Sequence, residues 1–290
     1  MSGGVVVGIA SEGRTAPAVR WAAAEAAARG LPLHLVHGLV VPGGGIPGEV
    51  FAGITAKEGL RALAGRELAR MAALARETAP DLDVDTLLIE GGPVPVLRAR
   101  AHHADLLVLG SDGLGPVTDL VLGGIARAVA GHVPVPVVVV PQRCDPDVRR
   151  RAGGHAPVVV GDDGTPGSHR ALRFAVDRAR GRGAPLVVVR AGDPWEDPHG
   201  GLVAGPDGPP SEIVVARDRA DRALAERSEG AEMVVVGVGE HGWWHQRRPR
   251  VRPRLVMRST CPVAVVPAVP VAGTVPVGTG AGTAEGGPGA

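Results

Sequence analysis

The chain has 290 residues, of which 44% are hydrophobic and 21% charged, and at about 150 residues per domain that length predicts two domains. A net charge of +1, with aromatics at 2% and no tyrosine, argues against a nucleic-acid binder and against a stacking platform for single-stranded bases. The two cysteines, Cys144 and Cys261, match neither a disulfide framework nor a paired zinc spacing, and no apolar run reaches the ~18 residues of a membrane helix.

The elements follow in order. Residues 5–10 are an all-apolar run, as a parallel strand buried on both faces requires. Residues 16–29 are rich in alanine and end at Gly30, which predicts a helix with a glycine stop. A strand at 33–37 follows, then a long helical pattern over 55–79 carrying Leu60, Leu63, Leu68, Met71 and Leu74. Strand 86–89, a short helix over 94–103, strand 106–109, a helix over 124–132 and strand 137–140 complete the series. Strands alternating with helices predict an α/β fold with right-handed crossovers and a doubly wound parallel sheet of about five strands.

The series then repeats. Val5-Val-Val-Gly recurs as Val158-Val-Val-Gly, Arg20-Trp21-Ala as Arg173-Phe174-Ala, and Arg29-Gly-Leu-Pro-Leu as Arg182-Gly-Ala-Pro-Leu, all at an offset of 153. Later matches fall back: Ala104-Asp-Leu-Leu-Val-Leu-Gly recurs as Ala231-Glu-Met-Val-Val-Val-Gly at an offset of 127, and Pro136-Val-Val-Val-Val-Pro recurs as Pro262-Val-Ala-Val-Val-Pro at 126. The second copy has therefore lost about 26 residues. The loss lies between a strand at 186–190 and one at 212–215, where five prolines and five glycines leave no helix. The expectation is two tandem domains, 1–141 and 156–267, the second trimmed and one face of its sheet under-covered. They are joined by a linker at 142–155 and followed by a disordered tail at 268–290.

Ligands of doubly wound sheets bind at the carboxyl ends of the strands, near the switch in strand order. The loop after strand 106–109 is glycine-rich: Gly110 and Gly113 free the backbone to approach a ligand, and Gly123 and Gly124 fall where the next helix opens with unpaired amides. That pattern suits a phosphate chain. The spacing G-x2-G-x9-G between a strand and a helix, followed by Pro-Val-Val-Val-Val, resembles the nucleotide loop of the universal stress protein family. The resemblance covers both copies, and the stretch from Arg20 through His37 is similar to actinobacterial members with two tandem domains.

The resemblance implies ATP as the ligand, held by a backbone loop, with an acidic residue after the first strand. In the first copy that acidic position is Ala10, and the hydroxyl residue expected after the last loop glycine is Gly124. In the second copy the acid is present as Asp163, but Gly113 aligns with Glu240, and Gly123 and Gly124 align with Pro249 and Arg250. The expected nucleotide site is therefore Gly110, Gly113, Gly123 and Gly124 in the first copy alone. Asp163 reads as a turn or cap residue in a lapsed second site. His241 and His245 stand four apart without a third metal ligand, and His34 and His37 face opposite sides of a strand. The arginine run at 247, 248, 250, 252, 254 and 258 reads as a solvated loop, and Trp243 and Trp244 as cover for a sheet or a domain contact.

No nucleophile–base pair, carboxylate pair or metal cluster is apparent, so a non-catalytic stress-associated ATP-binding module is expected, cytoplasmic and without a membrane partner. The alternative is a structural or partner-binding protein with both nucleotide sites lapsed. An oxidoreductase would need G-x-G-x-x-G after the first strand, which Gly8 to Gly13 does not supply, and an ATP-pyrophosphatase would need Ser-Gly-Gly there rather than before the strand. Strands Val137–Val140 and Val263–Val266 are expected to pair within one chain as a pseudo-symmetric unit, with further dimerisation left open.

Overall fold

The computed structural model describes residues 3–10, 14–40, 50–111, 124–130, 132–144, 156–191, 209–216, 220–238 and 259–267. The first half runs β1 (Val5–Gly8), α1 (Ala16–Arg29), β2 (Leu33–Leu39), α2 (Val50–Thr78), β3 (Val84–Glu90), α3 (Pro93–Ala101), β4 (Leu106–Gly110), α4 (Gly124–Val129) and β5 (Val137–Val140). The second runs β6 (Val158–Asp162), α5 (Pro166–Arg182), β7 (Leu186–Ala191), β8 (Ser211–Ala216), α6 (Ala220–Arg227), β9 (Met233–Gly237) and β10 (Val263–Val266). All ten strands form one sheet, ordered β3-β2-β1-β4-β5-β10-β9-β6-β7-β8. Each half is a five-stranded parallel sheet, doubly wound, with its switch in strand order between β1 and β4 or between β6 and β9.

The halves meet at a single antiparallel junction, β5 against β10. Val138 lies opposite Ala264, with Val139 opposite Val263 and Val137 opposite Val265. The repeat offset of 126 makes Val138 and Ala264 counterparts, so this register centres the junction on a local pseudo-twofold axis through the sheet. The expected pairing of the two edge strands is thus observed within one chain, and neither β5 nor β10 remains an open edge.

Two layers of apolar side chains cover the sheet. Valines and leucines of alternate strand positions pack on one face under α1, α2 and α5, and the intervening positions pack on the other under α3, α4 and α6. Helix α1 ends as its composition predicts: Gly30 adopts φ 63, and its N–H turns back to the Ala26 and Ala27 carbonyls. Gly183 repeats this at the end of α5, with φ 60. Helix α2 begins five residues ahead of the predicted start and buries Leu68, Met71 and Ala75. Among the described residues it has no counterpart between β7 and β8. There Ile213 and Val215 are 46% and 38% exposed, while Val214 and Ala216 pack on the opposite face. The exposure is confined to the edge strand, since Leu186 and Val188 of β7 on the same face are fully buried.

Candidate functional site

The carboxyl ends of β1 and β4 diverge into a small cleft of about 50 Å³. Its floor is Gly8, Ile9 and Ala10 from the end of β1 and Leu109 and Gly110 from the end of β4. Val36 and Gly38 of β2, Pro93 and Leu97 of α3, and Ile125 and Ala126 of α4 form its walls, and Thr15 closes one side. Close approach of α3 depends on Gly38, where a Cβ would stand 2.9 Å from the Pro93 Cα. The described lining carries no ionisable side chain. It offers aliphatic surface and backbone groups, which suit the faces of a flat heterocycle and a sugar more than an acid–base reaction.

The floor is fixed from beneath. The Ile9 N–H donates to the Val36 carbonyl at 2.8 Å, and the Ile9 carbonyl accepts from Nδ1 of buried His37 at 2.9 Å. His34 points to the other face of β2, where its Nδ1 lies 3.4 Å from the Asp85 carboxylate, so the two histidines are separated as their spacing requires.

Of the sequence-predicted site residues, Gly110 lines the cleft, and Gly124 opens the helix whose next two residues line it. The two ends of the glycine loop therefore meet at one cleft. Gly113 and Gly123 lie outside the described residues, as do Glu240, His241, Trp243, Trp244, His245, Pro249, Arg250 and the rest of the arginine run. Ala10 lines the cleft at the place where the resemblance expects an acid.

The second half handles the same place differently. Gly237, the counterpart of Gly110, lies under the first turn of α5, where an added Cβ would fall on the Gly167 carbonyl. At Gly110 an added Cβ would meet, among the described residues, the Arg14 carbonyl at 3.4 Å and Thr15 Cγ2 at 3.5 Å, ordinary contacts. The α5 turn is held down by its own capping. Thr165 is the N-cap and accepts from the Ser168 N–H at 3.2 Å, while Asp163 accepts from the Thr165 hydroxyl at 2.6 Å and the Thr165 N–H at 3.2 Å. Asp163 thus serves a turn, as its sequence context predicts.

Buried Asp162 accepts from the Gly164 N–H at 3.1 Å and the Ser168 hydroxyl at 2.9 Å and faces Arg190 at 3.5 Å. This pair escapes a reading by motif. Its signal is a charged residue at each counterpart of Ile9 and His37, in strands that are otherwise apolar.

A family model described as "Universal stress protein family" matches residues 1–141 and 155–226. The universal stress protein Rv2005c of Mycobacterium tuberculosis is similar over 273 residues at 32% identity, covering 82% of this chain and 87% of the relative. The crystal structure of a universal stress protein from Archaeoglobus fulgidus superimposes with a TM-score of 0.70 at 15% identity, over 91% of this chain and 98% of that one. Another from Archaeoglobus fulgidus, solved in complex with dAMP, matches 47% of this chain and 96% of its own, at 23% identity and a TM-score of 0.35.

Proposed function

From the membership of this chain in the universal stress protein family, we propose a non-catalytic regulatory module that binds an adenine nucleotide, ATP foremost, in its first half only. One observation supports the choice of half: among the described residues the α1 turn stands at ordinary contact distance from Gly110, whereas the α5 turn is pressed onto Gly237. Packing among the described residues does not demand glycine at 110, and a ligand lying close to the backbone there would. On this reading Gly110, Gly113, Gly123 and Gly124 supply amides to the phosphates, and the aliphatic walls take the nucleoside. Residues 1–141 are the binding domain and 156–267 a degenerate partner domain that has turned its acids to helix capping. Residues 142–155 are the linker between them, and 268–290 a tail outside both.

Ala10 gives the competing reading its weight. Without an acid at that place the cleft lacks a side-chain anchor, and a protein that acts only by pairing its halves or binding a partner would tolerate the loss. Calorimetric titration with ATP separates the two. Wild type binds with modest affinity, and Gly113→Glu, which installs the residue found in the second copy, weakens binding by more than about tenfold, the equivalent of 1.4 kcal/mol. Equal affinity for both proteins removes the site from the first half. No binding by either favours the nucleotide-independent reading.

A further inference from the structure

On the α1 and α5 face of the β5–β10 junction, the helices meet across the pseudo-twofold axis through charge. Glu25 of α1 contacts Arg178 of α5 directly, with side chains 1% and 5% exposed. The repeat offset of 153 makes these two residues each other's counterparts, so they touch on the axis itself. Arg182, the counterpart of Arg29, reaches across to Glu25 at 2.5 Å, while Arg29 stays on Glu25 of its own helix at 2.5 Å. Glu232, 3% exposed, completes the cluster 3.2 Å from Arg178, and the Arg178 guanidinium stacks 5.4 Å above the Trp21 ring.

We propose that this cluster makes the junction selective for unlike copies: the surface around Glu25 fits only a partner copy carrying a cation at the place of Arg178. The symmetry makes the alternatives explicit. Two first copies joined through β5 would set Glu25 against Glu25, and two second copies joined through β10 would set Arg178 against Arg178. The first copy brings Glu25 and Arg29 to the cluster, and the second brings Arg178, Arg182 and Glu232. Only the unlike pairing sets opposite charges against each other on the axis, and like charges in contact at a site this dry are strongly disfavoured. The ring beneath Arg178 is similarly unshared, because the counterpart of Trp21 is Phe174, a weaker cation partner. The valine-rich strands alone carry no such discrimination, since both edges are short, apolar and near-identical.

The full-length chain tests this without being cut. Arg178→Glu recreates the contact of two first copies, and Glu25→Arg that of two second copies. Arg178→Met removes the charge while keeping much of the bulk, and the double variant Glu25→Arg with Arg178→Glu restores opposite signs with reversed polarity. Thermal midpoints are read alongside hydrogen-exchange protection of the Val137–Val140 amides. Each like-charge variant is expected to lose at least ~10 °C together with junction protection, Arg178→Met to lose less than Arg178→Glu, and the double variant to recover half or more of the loss. If a like-charge variant yields no folded protein, recovery of folded protein in the double variant is the same positive result. A double variant no better than the worse single, or Arg178→Met as damaging as Arg178→Glu, overturns the proposal, because arginine itself and not the sign of the charge is then what the junction needs.

Discussion

Gly110 and Gly237 close equivalent strands, β4 and β9, but among the described residues only Gly237 is required by its own half, because the Gly167 carbonyl occupies the space a Cβ would need. Gly237→Ala must push backbone against backbone, and overpacking of this kind costs about 1–3 kcal/mol. Gly110→Ala enters ordinary contact distance and is expected to leave stability within ~0.5 kcal/mol. Denaturant titration of the two variants makes the comparison, and equal losses would show that the first cleft is as tightly closed as the second.

Thr165 caps α5 and also anchors Asp163, so the two side chains separate folding from binding. Thr165→Ala should cost about 1 kcal/mol, the usual value of an N-cap hydroxyl. Asp163→Ala removes only the turn acceptor and should cost less, with ATP affinity unchanged in calorimetry. A loss of nucleotide binding confined to Asp163→Ala would move the ligand site to the second half.

Acid should loosen the junction between the halves. Burial pushes the Glu25 carboxyl up, but Arg178, Arg29 and Arg182 together outweigh it and hold the folded value below the ordinary 4.5. A folded value below the unfolded one adds stability at every pH above the unfolded value, and that stability disappears as pH falls through the folded one. Arg178, Arg182 and Arg29 are the cations around Glu25, and Glu232 on the amino end of β9 is the other carboxylate facing them. The thermal midpoint should therefore fall as pH drops between about 5 and 2, with a shallower fall in Glu25→Gln. A variant that tracks wild type over that range would remove Glu25 from the acid response.

Both thiols should resist alkylation in the folded state. Burial pushes Cys144 up to about 11 and Cys261 up to about 12, so at mildly alkaline pH the thiolate is scarce and Cys261 is also enclosed. Iodoacetamide should label them at least ~100-fold more slowly in native protein than in denaturant. Rapid native labelling of Cys261 would mean that β10 opens readily.

Much of the architecture is legible along the chain because it depends on local periodicity. The strand expected at 5–10 and found at Val5–Gly8, the strand at 137–140, the Gly30 stop and the counterpart offsets all come from pattern alone. The Glu25–Arg178 contact does not. Each residue lies on a helix with other charges nearby and reads singly as a solvated face, and the axis that joins them exists only once β5 and β10 pair. The closure beside Gly237 is hidden for a related reason: it depends on how closely the α5 turn is pressed to β9, a distance no residue type announces. Asp162 and Arg190 fall between these cases, since charged residues in apolar strands invite a search for a partner.

The β5–β10 junction also bears on how the protein is made. β5 ends at Val140 and its partner begins at Val263, 123 residues later. At roughly 5–20 residues per second, a ribosome needs ~6–25 s to deliver β10 after β5 has emerged. During that interval the first half, complete in its own five strands, presents a four-valine edge with nothing to pair to. Neighbouring chains on the same message present the same edge at the same moment, and their first halves all carry Glu25 beside it. If the junction is selective as proposed, the charge that joins the finished halves would also keep unfinished ones apart.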